Sequence, residues 1–377
     1  MNAWLPRTLA QWFALLLGVA ALVACLLLGL WREPKQAMLS YLFAFFFFTG
    51  LSLGSLALLM IHAITGGAWG DCIRPPLLAA ARLLPLMALA SIPVLVCMRV
   101  LYDWTAPAAL AHDMQARQQT WYLDPTFFVI RTVAYFVVWI AWLAAFTRNM
   151  DDRVRARRIA APGLIVFGVS SLLASVDWAV SLTPHWHSSI FGMMVGTGWL
   201  LGACALAVAV AASPRDRDAA PEPGVLHDFG NLLLMFVLAW SYLAFMQYLT
   251  VWIADLPDEN AWYIPRTLTS WRYFAWFLVA CNFALPFAVL LSRTAKRRRA
   301  WLLGVAVMLV VANFADAFWL ILPGFRPGGF ALRWTDLCAP VGIGALWWCG
   351  WIGHLRQARA MARPSIASAN GLERSHG

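Results

Sequence analysis

Asp177 stands inside an apolar run, SVDWAVSLTPHWHSSIFG from Ser175 to Gly192, and a Pro-His-Trp-His turn follows it. An ionised carboxylate among lipid tails costs about 3 kcal/mol or more at the bilayer centre, so Asp177 needs a partner, a proton or a water-lined cavity. His185 and His187 in the turn suggest what that need could serve. A buried carboxyl beside an imidazole that titrates near neutrality can pass protons towards a membrane surface.

Other polar side chains fall at the same depth. Counted at about 1.5 Å per helical residue, Asp177 lies about 7 Å below the outer end of its segment. Asn313 and Asp316 on the ninth segment, Gln247 on the seventh, Arg131 on the fourth and Arg99 on the third come to similar levels. Ser170, Ala174, Asp177 and Ser181 recur at helical spacing, a small and polar stripe that should face the interior of a bundle. A proton-accepting layer is one reading of this set. The other is an internal ion-pair network, Asp177 with Arg131 and Asp316 with Arg99, that serves helix association alone. At the opposite end His62 and Arg82 form a sparser polar set, with His62 either an interfacial histidine or a proton entry point. Apolar residues separate the two layers, so the sequence gives no continuous proton wire.

Haem and metal chemistry have little support. A bis-histidyl haem needs histidines at matched depth on facing helices, and His62 alone falls within a span while His185 and His187 lie far from it. His112, His227, His354 and His376 fall in loops or at ends, and the acid near His185 and His187, Asp177, reads as readily as a proton carrier as a metal ligand. The seven cysteines are scattered, mostly in apolar runs, without CxxC or CxxCH spacing. They read as small buried hydrophobes.

The elements that must position these groups are membrane helices. Of the 377 residues, 62% are hydrophobic and 12% charged, with 22 Trp, and the mean hydropathy is +0.69. Those values exclude an ordinary soluble domain. The fold class expected is an all-α polytopic membrane protein, with ten spans of about 20 apolar residues. They run Leu9–Trp31, Met38–Ile64, Leu77–Leu101, Thr126–Thr147, Pro162–Leu182, Ser189–Ala212, Phe229–Ile253, Trp271–Ser292, Ala300–Leu322 and Asp336–Gly353.

The net charge of +10 sits in short basic runs between apolar segments, a pattern of orientation signals rather than of nucleic-acid binding. The richest loops, Arg148 to Arg158 and Arg293 to Arg299, share one side. The positive-inside rule then places both termini in the cytoplasm. The first segment reads as a retained helix and not a cleaved signal. Connections are short, so residues 1–363 are expected to form one membrane domain of antiparallel neighbours, with a short, polar, disordered tail over 364–377. Small residues at Gly196, Gly198, Ser170 and Ala174 suit close helix approach, and Pro85, Pro93 and Pro286 predict kinks.

The run from Ser175 to Gly192 resembles the (S)xDWxxSLxPHWxSxxFG signature of the ActF subunit family of alternative complex III, the bacterial quinol:electron-acceptor oxidoreductase. Two further segments are similar to the same family. One is AWSYLAFMQYLTVWIADLPDENAWYIPR, Ala239 to Arg266; the other is NFALPFAVLLSR, Asn282 to Arg293. Together they cover about Pro162 to Pro323. The resemblance implies two four-helix bundles plus two peripheral helices, akin to polysulfide-reductase-type membrane subunits, in a bacterial inner membrane. It implies that quinol or quinone is the relevant small molecule, and that haem c and iron-sulfur clusters sit on partner subunits. The implied partners are a sister quinol-binding membrane subunit, an iron-sulfur subunit and haem c subunits, with a terminal oxidase as a further candidate. Asp177, His185, Gln247 and Asp316 occupy positions that match or adjoin polar positions of the family, whereas His187 falls where the signature varies.

The function expected on this reading is that of a membrane subunit without its own redox centre, contributing to proton release near the outer face and to assembly. Two other classes compete. A secondary transporter would use the same carboxylates for coupling, although its site belongs near the mid-membrane. A purely structural anchor would use the charged layer only to hold helices or dock a partner.

Overall fold

The computed structural model describes residues 9–106, 122–213 and 221–373. The described residues are helical and contain no strand. Nine of their helical stretches are long and apolar enough to cross a membrane, so the chain is an all-α, multi-pass membrane protein.

The first two helices are α1 (Leu9–Arg32) and α2 (Pro34–Thr65). In the most apolar window of α2, 94% of residues are buried inside the protein, against 17% for α1. This contrast assigns their places: α2 is the axis of the bundle and α1 lies on its lipid-facing surface. A helix apolar all round suits such a central position.

The third predicted span starts earlier than expected and is broken into α3 (Ala68–Ala81), α4 (Leu84–Ala90), α5 (Ile92–Val96) and α6 (Met98–Leu101). Pro85 and Pro93 each stand in the first turn of a new piece, where the missing N–H costs nothing. The expected kinks at these prolines are therefore breaks. Next come α7 (Pro125–Asn149), α8 (Arg153–Trp178), α9 (Phe191–Ala211) and α10 (Pro223–Ala254). Asp124 caps α7 by accepting from Phe127 N at 2.8 Å, and Asp152 caps α8 through Val154 N and Arg155 N.

The stretch Ala239 to Arg266 does not end in an irregular loop. A further helix, α11 (Pro257–Thr267), precedes α12 (Trp271–Leu278), a π-helical segment at Val279–Ala284 and α13 (Leu285–Leu291). Pro286, expected to kink its helix, sits immediately after that π segment. A short α14 (Arg293–Arg297) leads to α15 (Arg299–Ile321) and α16 (Thr335–Glu373).

The tenth expected span, Asp336–Gly353, lies within α16. It is helical but is not among the nine most apolar candidates, because tryptophans, glycines and Asp336 dilute its hydropathy. Its helix also continues through Glu373, where a disordered tail was expected from 364. His112 and His376 lie outside the described residues.

Packing joins α2 to α3–α6 and α8, with α7 against α8, while α9 contacts α10 and α15. The two sets meet along α2 and α9, where Gly50 and Gly54 lie against Trp199 so closely that neither has room for a Cβ. At the α9–α15 crossing Asn313 Nδ2 donates to Gly198 O at 2.8 Å, and Gly202 leaves room for the same amide. Of the small residues singled out in the sequence, Gly198 takes the Asn313 bond and Gly196 lies against Ser171, whereas tighter approaches fall at Gly50, Gly54 and Gly202, which the sequence reading did not name. α1 and α16 pack on one another and against α2.

Candidate functional site

The expected layer of buried polar groups divides into separate surroundings. Asp177 is 0% exposed, at the C-terminal end of α8. Its Oδ1 accepts from Arg131 Nη2 at 2.8 Å, and its Oδ2 from Arg131 Nε at 2.9 Å and from Tyr135 OH at 2.7 Å. Arg131 in turn donates Nη1 to Tyr122 O at 2.9 Å, and its guanidinium lies over the rings of Tyr122 and Phe127. One of the two expected ion pairs therefore forms, and it joins α7 to α8. The small polar stripe is buried as expected along Ser170, Ala174, Asp177 and Ser181. Ser170 accepts from Trp139 Nε1 at 2.8 Å.

The expected Asp316–Arg99 pair does not form. Arg99 is exposed on α6, while Asp316, 6% exposed on α15, faces a different helix pair. Depth counting brought them to one level; it says nothing of the direction each helix face points. Gln247 accepts from Ser188 Oγ, whose oxygen also accepts from Ile190 N and Phe191 N. It ties α10 to the start of α9. His185 and His187 are exposed in the turn between α8 and α9. At the other end His62 Nε2 sits 3.0 Å from Gly67 O and 3.9 Å from Asp71, against the edge of Trp69. The described residues contain no group of three or more His, Cys, Asp or Glu side chains able to hold a metal ion.

A second buried ion pair was missed in the sequence. Arg326 donates Nη2 to both carboxylate oxygens of Asp336 at 2.8 and 2.9 Å; Ser40, Gln36 and the backbone of Arg333 complete the shell. Both residues fall at segment ends, where hydropathy treats charge as solvated. The network seats α16 on α2.

Asp316 opens onto the most distinctive cavity. A cleft of about 850 Å³ runs between α10, α11, α12, the π segment and α15. Tyr242, Phe245, Trp276 and Val279 form its mouth on the exposed surface of membrane-spanning helices, Trp276 being 69% exposed. Its inner wall carries Asp316, Trp240, Trp319 and Arg266, with the indole of Trp240 beside the carboxyl of Asp316. Among the described residues no cation lies at salt-bridge distance from Asp316 and no carboxylate from Arg266.

Arg266 is the functional candidate that sequence reasoning overlooked, since it lies between the seventh and eighth expected spans. It is 2% exposed, its Nη1 donates to Trp262 O at 2.6 Å and its Nη2 to Leu320 O at 2.8 Å. Its Nε has no hydrogen-bond partner. The guanidinium carbon lies 3.4 Å from the centroid of the Trp262 ring. Burial works against its charge and pushes its pKa well below the usual value; the neighbouring Tyr263 phenol is pushed up for the same reason. The one available signal was an arginine closing a helix rich in aromatics.

The π segment borders the same cleft through Val279 and Phe283. Between them Asn282 is fully buried, and neither polar atom of its side chain has a partner. π turns cost regular hydrogen bonding and recur at functional sites. The cleft thus combines an apolar, aromatic mouth with an acid and a guanidinium at its inner wall. It suits an amphiphile with a flat, oxygen-bearing headgroup and an apolar tail. No family model and no curated protein matches this chain.

Proposed function

We propose that the chain is an integral subunit of a respiratory quinol-oxidising complex in a bacterial inner membrane, and that the cleft holds the headgroup of a hydroquinone-type lipid. One observation carries the proposal: a lipid-facing aromatic cleft has on its inner wall an acid and a buried guanidinium, neither with an oppositely charged partner among the described residues. The resemblance of Ser175 to Gly192 and of Ala239 to Arg266 to the alternative complex III membrane subunit supports the same reading.

The chemistry follows from the headgroup. Oxidation of a hydroquinone to a quinone releases two protons and two electrons. Asp316 lines the cleft where it can accept the two protons in turn, handing on the first before the second leaves, and the Arg266 guanidinium can donate to a ring oxygen. Partner subunits, which the resemblance gives as carrying iron-sulfur clusters and haem c, would supply the one-electron acceptors for the two electrons. The Asp177–Arg131 pair serves by holding α7 and α8 in place, a positional task for which its full set of donors fits it.

Purification in mild detergent tests the assignment. The expected result is co-purification with haem c and iron-sulfur proteins in a preparation that oxidises quinol. Recovery of the chain alone, with no haem c protein, would overturn it. Within an active preparation, Asp316→Asn should lower quinol turnover while the complex stays assembled, and unchanged turnover would remove Asp316 from the chemistry.

A secondary transporter is the second reading, favoured by one observation. The third span is broken and the eighth carries a π turn, so the two halves of the chain have irregular helices in corresponding places. Solute uptake into liposomes by the purified chain would establish it.

A further inference from the structure

We infer that the cleft is the inner chamber of a two-chamber proton exit path, and that Trp262 is the partition between its chambers. The proton-carrying role rests on the hydroquinone reading above; the partition itself rests on geometry alone.

The second chamber is a cavity of about 530 Å³ at the end of the bundle that the charge pattern assigns to the outside. Lys35, Asp103, His185 and Asp258 line it, and Lys35 and Asp103 are paired at 2.6 Å. It is a chamber of ionisable, water-exposed groups. The membrane cleft on the other side is walled by aromatic side chains. Trp262 lines both cavities. Trp262, with Trp186 stacked on it from the aqueous side, thus stands between an aromatic, lipid-open space and a titratable, aqueous one.

The neighbours of Trp262 hold it as a closed door is held. The ring of Trp186 stacks on it at 4.8 Å and 16°, and Trp319 meets it edge-on at 5.4 Å. Arg266 clamps it twice, with its guanidinium over the ring and Nη1 on the Trp262 carbonyl. An indole ring cannot relay a proton through its face, so passage between the chambers needs the ring to move. Arg266 lines the cleft and its buried Nε has no partner among the described residues, so an oxygen-bearing headgroup that draws the guanidinium towards itself weakens the clamp. Occupation of the cleft and opening towards His185 and Asp258 become one event. In this arrangement Arg266 is a positioning residue for Trp262, and His185 and Asp258 receive protons on the outer side.

Cysteine accessibility tests the partition without any quinol. Ser241 lines the cleft, and Ser241→Cys can be placed in the full chain with the seven native cysteines replaced by alanine or serine. Membrane vesicles with the outer face exposed are then treated with a charged, impermeant thiol reagent. Labelling should be slow with Trp262 in place and about tenfold faster in Trp262→Ala, because reactivity follows the open population. Trp186→Ala, which removes only the stacked neighbour, gives the same direction if Trp262→Ala fails to fold. Equal labelling with and without the ring, or none in either variant, would overturn the partition. Because turnover is not read, loss of the hydroquinone assignment would leave this result standing. With quinol turning over, His185→Ala together with Asp258→Asn should slow proton appearance outside and leave labelling unchanged; unaltered proton release would remove both residues from the path.

Discussion

Arg131 meets Asp177 through two different nitrogens, Nη2 at 2.8 Å from Oδ1 and Nε at 2.9 Å from Oδ2, while Tyr135 takes the remaining side of the carboxylate. Asp316 has no such cation among the described residues. Two acids that look alike in sequence thus hold opposite positions in the fold.

That contrast predicts opposite mutational behaviour. Asp177→Asn should destabilise the purified protein by about 3–5 kcal/mol, the usual cost of leaving a buried ion without its partner. Asp316→Asn should change stability by less than about 1 kcal/mol, since no ion pair is broken. Thermal unfolding in detergent checks both, and an apolar pair such as Arg131→Met with Asp177→Leu should recover much of the loss.

The seat of α16 gives a second expectation. Asp336→Asn weakens the contacts from Arg326, Ser40 and Gln36 that fasten this helix to α2. Limited proteolysis should then cut the connection between α15 and α16 faster than in the parent protein, while cleavage elsewhere stays unchanged.

Glycine substitutions separate packing from helix propensity. Gly54→Ala places a methyl group against the backbone oxygen of Trp199, which cannot yield as a side chain would, and should cost about 2 kcal/mol or more. Gly304→Ala meets nothing within 4 Å and should raise stability by up to about 1 kcal/mol through helix propensity alone. Comparison of melting temperatures decides the matter.

Asn282 offers a test of the π segment. Replacing an unpartnered buried amide with Leu should stabilise the protein by about 1–2 kcal/mol, the desolvation cost that the amide now bears. A loss of stability would show that the amide does not bear that cost. If the π turn shapes the cleft for its ligand, the same variant should bind a short-chain quinone more weakly, as read by quenching of tryptophan fluorescence.

Much of this architecture was legible in the residues. Runs of apolar residues gave the spans, and the stripe from Ser170 to Ser181 gave the buried face of α8. The pairing of Asp177 with Arg131 could be proposed because both lie inside spans, where charge must find charge. Arg99 and Asp316 were matched by the same reasoning and fail, since level along a helix is readable by counting but direction around its axis depends on how the bundle packs. Arg266 and the Arg326–Asp336 pair were passed over because hydropathy averages treat charges in loops and at segment ends as wet. Their burial comes from α11 and the chain before α16 folding back over the bundle, a tertiary event without a local signal. The π segment was equally silent, as one extra residue in a turn leaves the apolar pattern almost unchanged.

The pairing of α1 with α16 bears on how the molecule is made. These helices stand at opposite ends of the described sequence, yet each is a principal neighbour of the other. As a nascent chain enters the bilayer, α1 must wait beside α2 until nearly everything else has been threaded. Release from the insertion machinery and completion of the bundle then coincide, so a chain cut short anywhere before Thr335 leaves its first helix without the surface it was shaped to meet.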